Sequence, residues 1–301
     1  MPFLALARRQ FELLGEGALR VSAPAKLNLN LLVGPLRTNG YHSLDSYVAK
    51  VALYDELTLR CRDDGRLTFA CEGADCGADE QNLALRAARS LQQRVLSRRP
   101  PAGADMRLSK RIPPGAGLGG GSSDAAAALL GLQKLWGLDF VPEDLAALAA
   151  GLGSDVPLFL DGPACRMTGR GEAVEPVAVH DLVAVVIFPD VGCPTRVVYR
   201  AYDDVPHELP AQLDAAQLRR LPSEWRGLLR NDLAEPACRV SPAFAEAFDA
   251  ARDAAGLPVH VSGSGSALFM LCDDEDEARR AISGLPEALR SRAQMVRRNP
   301  W

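Results

Sequence analysis

Five glycines within seven residues constrain this chain more than any other feature. They lie in the run Pro113-Pro114-Gly115-Ala116-Gly117-Leu118-Gly119-Gly120-Gly121-Ser122-Ser123-Asp124. Glycine loses more backbone freedom on folding than any other residue, so this density needs a compensating role. Glycines admit positive φ and let a backbone approach a ligand closely, and successive N–H groups can then converge on an anion. Ser122, Ser123 and Asp124 supply N-cap chemistry. The alanines and leucines from residue 125 favour a helix whose positive end would face the loop. A strand, two prolines, a glycine loop and a strong helix together describe a phosphate cradle, and a flexible linker would not be bounded in this way. Gly115, Gly117 and Gly120 also satisfy the G-x-G-x-x-G dinucleotide pattern. That reading fails on context, because the pattern follows Pro113-Pro114 rather than ending a first βαβ strand, and no acidic residue closes a following strand at the required distance. Neither a G-x-x-x-x-G-K-[ST] loop nor a protein-kinase catalytic loop occurs.

The chain has 301 residues, enough for two domains with real cores. Strand patterns cover residues 20–36, 47–60, 66–71, 106–112, 183–188, 259–261 and 267–272, and helical patterns cover 82–96, 123–136, 142–151, 242–255 and 275–283. Gly34-Pro35 and Asn39-Gly40 mark turns, and Pro100-Pro101 a surface loop. The elements mix without a strict βαβ rhythm, so the class is α+β. Composition changes at residues 163–171, which suggests one domain over residues 20–167 and a second over 168–301. A polar, proline-bearing stretch follows at residues 203–226. A net charge of −4 offers no nucleic-acid or membrane surface. Seven cysteines without a Cys-x-x-Cys pair read as reduced thiols of a cytoplasmic protein, and no metal site is expected from side chains. Residues 1–19 read as an N-terminal extension of helical composition with no assigned role. From Ala25 on, Lys26, Asn28 and Asn30 alternate with leucines, which puts three polar side chains on one strand face.

The loop sequence, Pro-x-Gly-x-Gly-Leu-Gly-x-Gly-Ser-Ser followed by alanines, resembles the signature of the GHMP kinases, in which this loop wraps the phosphates of ATP. Ala23-Pro24-Ala25-Lys26-Leu27-Asn28-Leu29 resembles the first motif of that family. The segments 152–159, 169–172 and 261–266 resemble three more, so the likeness runs in order over residues 21–271. It implies a two-domain fold, with an N-terminal part like domain 2 of ribosomal protein S5 and a C-terminal ferredoxin-like α/β sandwich. It also implies ATP and Mg²⁺ as cofactors. Gly40-Tyr41-His42 is similar to one branch, whose substrate is a CDP-linked methylerythritol phosphorylated on its 2-hydroxyl. The other readings are a homoserine- or mevalonate-type kinase and a non-catalytic ligand-binding relative. Monomer and homodimer both remain open.

The resemblance assigns roles residue by residue. Asp155 would orient the substrate hydroxyl and take its proton, with Lys26 as the cation beside it; phosphoryl transfer asks for little more than positioning and charge neutralisation. By themselves the two residues read as a helix cap and a strand lysine. Pro113, Pro114, Gly115, Ala116, Gly117, Leu118, Gly119, Gly120, Gly121, Ser122 and Ser123 would hold ATP, joined by Asn82 and Lys110. Asn82 reads equally as an N-cap, and Lys110 as a strand end. Tyr41, His42 and Tyr199 would recognise the base, and Asn28 the remainder of the substrate. One stretch departs from the family pattern: Ala49 and Lys50 stand where bulkier apolar residues are expected.

Overall fold

The computed structural model describes residues 10–300 except 16, 39, 75, 77–79, 96–101 and 205–212. The expected turn residue Asn39, the loop at Pro100 and Pro101, the first nine residues of the extension and part of the 203–226 stretch lie outside the described residues.

The first half runs β1 (Phe11–Gly15), β2 (Ala18–Asn28), β3 (Leu32–Leu36), β4 (His42–Arg62), β5 (Leu67–Gly73), α1 (Leu83–Val95), β6 (Gly103–Lys110), α2 (Gly120–Leu135), α3 (Pro142–Leu152), β7 (Ala164–Gly169) and β8 (Ala173–Pro176). Its strands make one sheet in the order β1-β2-β4-β6-β5, with β3 and β7 on the other part of long β4 and β8 beyond β7. The second half runs β9 (Val183–Ile187), α4 (Thr195–Asp203), α5 (Ala234–Val240), α6 (Pro242–Ala254), β10 (His260–Val261), β11 (Leu268–Cys272), α7 (Glu275–Gly284), α8 (Glu287–Arg290) and β12 (Ala293–Arg297). Its sheet is four-stranded, in the order β10-β11-β9-β12. The α+β expectation holds. The expected division at residue 167 falls inside β7, and the first sheet continues through β8 to Pro176.

Burial explains the elements. In α1, Ala84, Leu85, Ala88, Leu91 and Val95 recur at helical spacing and pack with the first half of α2 on the first sheet. α2 is buried almost all round from Ser123 to Leu129, and its run of alanines allows that close approach. In β9, Val185 and Ile187 face the core of the second half, while Ala184 and Val186 face Ala25, Leu27 and Leu29 of the first. A continuous apolar strand is what burial on both faces requires. The same contact buries the segment that carries Lys26 and Asn28.

Two expectations are corrected. The described part of the N-terminal extension is strand, not helix: β1 pairs antiparallel with β2, Phe11 opposite Val21. An open sheet edge overrides the local propensity of a five-residue segment. Cys71, within β5, and Cys76, just beyond it, are joined in a disulfide where reduced thiols are expected; Cys61, Cys165, Cys193, Cys238 and Cys272 are free.

Candidate active site

Lys26 lies at the end of β2 and is 3% exposed. Its ammonium donates to Asn28 Oδ1 and stands 3.9 Å from Asp155 Oδ2. Burial pulls the Lys26 pKa down, and the Asp155 charge opposes that fall. Asn28 donates through Nδ2 to Ser46 Oγ at 2.8 Å, and its own amide donates to Ser262 Oγ at 3.3 Å. The Asn28 side chain therefore holds Lys26 through its oxygen and is itself held by Ser46 through its nitrogen. Asp155 sits in the turn after α3. It is partly exposed, and so is open to a ligand that Lys26 can meet only from within the fold.

The glycine loop locks onto this strand. The Lys26 amide donates to the Leu118 carbonyl at 3.0 Å, and the Ala116 carbonyl accepts from the Ala267 amide at 3.0 Å. Gly117 has φ 79°, and a Cβ there would meet the Ser262 carbonyl oxygen at 2.1 Å. Gly119, at φ 71°, is the left-handed N-cap of α2. Gly120, Gly121 and Ser122 then form the first turn, whose N–H groups have no intrahelical acceptor. Ser123 Oγ and Asp124 Oδ1 are buried beside this turn without a hydrogen-bond partner among the described residues.

Two cavities meet at the loop. The larger, about 780 Å³, is lined by Lys26, Asp155, Gly117 and Gly119 on the loop side. The smaller, about 290 Å³, is lined by Asn82, Lys110, Pro114, Gly115 and Gly121. Pro113 flanks a separate shallow depression beside Pro189. Lys110 is buried and divided between two carboxylates, with Asp124 Oδ2 at 2.8 Å and Asp55 on the other side. Asp55 also accepts the amides of Arg111 and Ile112, at 2.6 and 2.8 Å. Burial pushes the Asp124 carboxyl up, Lys110 opposes that, and the charge of Asp55 adds to it. Asn82 caps α1 by accepting the amides of Ala84 and Leu85 at 3.0 and 3.2 Å, and it lines the small cavity as well.

Tyr41, His42 and Tyr199 line the same large cavity. Tyr41 is 53% exposed, with the Arg170 guanidinium 5.2 Å from its ring centre. His42 and Tyr199 lie with ring centres 5.4 Å apart. His42 Nδ1 bonds the Gly34 carbonyl at 2.8 Å and Nε2 is 3.2 Å from Asp203 Oδ1, so the protein itself engages both ring nitrogens. Tyr199 comes from α4, and burial raises its pKa well above the usual tyrosine value, with the Asp155 charge adding to the rise.

Two family models match the chain: GHMP kinases N terminal domain over residues 82–163, and GHMP kinases C terminal over residues 215–291. A curated relative from Salinispora arenicola, a 4-diphosphocytidyl-2-C-methyl-D-erythritol kinase, is 40% identical over 281 residues, covering 90% of this chain and 88% of its own. The chain belongs to the GHMP kinases. A relative from Thermus thermophilus with the same name is 41% identical over 267 residues, covering 87% of this chain and 91% of its own. A crystal structure of 4-(cytidine 5'-diphospho)-2C-methyl-D-erythritol kinase superposes with a TM-score of 0.74 at 39% identity, covering 92% of this chain and 98% of that one. A homoserine kinase from Cytophaga hutchinsonii shares the fold, with a TM-score of 0.68 at 20% identity and 96% of each chain covered.

In this GHMP kinase, ATP is the phosphoryl donor. Among the described residues no helix is long and apolar enough to cross a membrane. Sequence reasoning missed Ser46, Asp55, Asp124, Asp203 and Ser262. Ser46 becomes visible only through the β2–β4 pairing, Asp55 through the β4–β6 pairing that sets it beside Lys110, Asp203 through α4, and Ser262 through its bond to Gly117. Asp124, next to the glycine loop, and Ser262, inside the 261–266 motif, carried a local signal.

Proposed function

We propose that this kinase transfers the γ-phosphoryl of ATP to the 2-hydroxyl of 4-diphosphocytidyl-2-C-methyl-D-erythritol, giving the 2-phosphate and ADP in the non-mevalonate route to isopentenyl diphosphate. One observation carries the reading: a single cavity is lined both by the Lys26–Asp155 pair with Gly117 and Gly119 and by Tyr41, His42 and Tyr199. A substrate that joins a reacting alcohol to a base matches that combination. The likeness to curated kinases named for this substrate supports it.

The chemistry follows from the placement of the groups. The acceptor hydroxyl lies against Asp155 and gives its proton to the carboxylate as its oxygen bonds to the γ-phosphorus. The bond from that phosphorus to the bridging β-oxygen breaks, and ADP leaves with the electron pair. Lys26 offsets the charge that builds on the acceptor oxygen and the transferring group. The amides at the start of α2 receive the phosphate oxygens, and these fixed donors need no reorganisation as charge develops. Ser123 Oγ and Asp124 Oδ1, oxygen donors buried without partners, fit Mg²⁺ beside the ATP phosphates. The ion would neutralise charge on the β- and γ-phosphate oxygens. We read Asn82 and Lys110 as nucleotide contacts from the smaller cavity, and the enzyme as a cytoplasmic monomer or homodimer.

The test is ADP release from Mg·ATP with 4-diphosphocytidyl-2-C-methyl-D-erythritol, run beside homoserine, mevalonate and galactose. Turnover confined to the cytidine substrate is expected. Turnover with another acceptor alone would reassign the base-binding end, and folded protein that binds ATP but turns over nothing would favour a non-catalytic relative.

A further inference from the structure

Helix α4 carries an electrostatic inconsistency that the reaction chemistry above does not use. Arg196 and Arg200 stand one turn apart and both line the large cavity with Tyr199 and Asp203, so the stripe 196, 199, 200, 203 faces it. Both arginines are exposed, and no carboxylate lies within ion-pair distance of either among the described residues. Like charges at this spacing destabilise a helix, and a cation in the first turn opposes the helix dipole. Elsewhere in the chain the same spacing is used the other way. Arg220, Arg239 and Arg279 each pair with a glutamate four residues away. A local rule broken on a cavity wall points to a ligand that restores it.

The geometry along α4 says where that ligand charge would lie. At the start of the helix, Thr195 Oγ1 is 2.9 Å from Ser264 Oγ. The adjacent Gly263 backs onto Lys26: a Cβ at Gly263 would lie 3.5 Å from Lys26 Nζ. At the other end of the stripe, Asp203 and Tyr199 both meet His42. Helix α4 therefore spans from the reacting end of the cavity to its base-binding end, with the two arginines on the way. We propose that Arg196 and Arg200 are the anion clamp of this cavity and bind a diphosphate bridging its two ends. This rests on the substrate reading above, in which a diphosphate links the cytidine to the alcohol. Guanidinium forks suit phosphate oxygens, and a charge-assisted pair would also relieve the repulsion within the helix.

The experiment compares CDP with cytidine by titration calorimetry, with a non-hydrolysable ATP analogue filling the nucleotide site, in the wild type and in Arg196→Ala, Arg200→Ala and Arg196→Lys. The KM values for acceptor and for ATP are measured alongside, with thermal melts as a folding check. The expected result is tighter binding of CDP than of cytidine by the wild type. In Arg196→Ala the CDP affinity should fall and the acceptor KM should rise, each by about tenfold or more, with cytidine binding and the KM for ATP unchanged, and Arg196→Lys should retain part of the gain. If both alanine variants keep the CDP-to-cytidine ratio within twofold of wild type, the clamp is wrong. The same holds if the wild type shows no preference for CDP. If the acceptor is not turned over but Arg196→Ala still weakens CDP, the clamp stands and the substrate reading falls.

Discussion

Lys26 Nζ and Asp155 Oδ2 are 3.9 Å apart, a gap that an acceptor oxygen can share with both. The pair is asymmetric: Lys26 is buried and fixed by Asn28, while Asp155 is open to the cavity. Asp155→Asn keeps the shape and removes the proton acceptor. Its kcat should fall by about 10²–10⁴-fold, the range for a positioned general base. ATP affinity, measured by titration with an inert analogue, should not move. A loss of only a few-fold would mean that Asp155 mainly orients the hydroxyl.

The first two glycines of the loop, Gly115 and Gly117, should behave differently. Both have positive φ, but a Cβ at Gly115 would meet nothing within 4 Å, while one at Gly117 would run into the Ser262 carbonyl. Gly115→Ala should cost only backbone strain, about 1 kcal/mol in urea unfolding. Gly117→Ala must also move the loop away from Ser262 and β2, so kcat/KM for ATP should drop by at least about tenfold. Equal effects in the two variants would show that the Gly117–Ser262 approach is unimportant.

Removing Lys110 tests the buried cluster. The side chain balances Asp55 and Asp124, both almost fully buried. Lys110→Met would leave two carboxylates facing each other without a cation, at a cost of about 3–5 kcal/mol. Adding Asp124→Asn should recover part of this in chemical denaturation. If the double variant is no more stable than the single one, Lys110 acts through packing rather than charge.

What could be read from the sequence was what is local. The glycine loop, the Lys26–Asn28 alternation and the apolar run of β9 each announce themselves within a dozen residues, and each lies where expected. The partners that give these residues their geometry come from far along the chain: Ser46 for Asn28, Asp55 for Lys110, Ser262 for Gly117, Asp203 for His42. Apart from Ser262, which lies in the 261–266 motif, no local pattern marks them, because strand register and packing between the sheets decide the meetings. The N-terminal segment failed for the opposite reason. Its composition suits a helix, but the edge of β2 was free to pair.

Lys50 is the clearest case of a residue whose oddity the structure explains. It is paired directly with Lys26 across β2 and β4, so both ammonium groups project from the same sheet face. Its side chain is buried, with Nζ donating to the Asp161 carbonyl and lying 5.9 Å from the centre of the Phe159 ring. Burial holds the Lys50 pKa down to about 8, with Cys165 and Asp161 opposing the fall. A lysine whose folded pKa is depressed binds fewer protons folded than unfolded, so stability rises with pH between the two values. Below pH 8 both states are charged and the cost of burying the cation is fully present; it is relieved between about pH 8 and the ordinary lysine value of 10.5. Lys50→Met never carries that cost. The stability of wild type relative to Lys50→Met should therefore increase by about 3 kcal/mol between pH 7 and pH 10.5. Urea unfolding at pH 7, 9 and 10.5 reads it directly. A constant gap between the two proteins across that range would mean that Lys50 reaches water in the folded state.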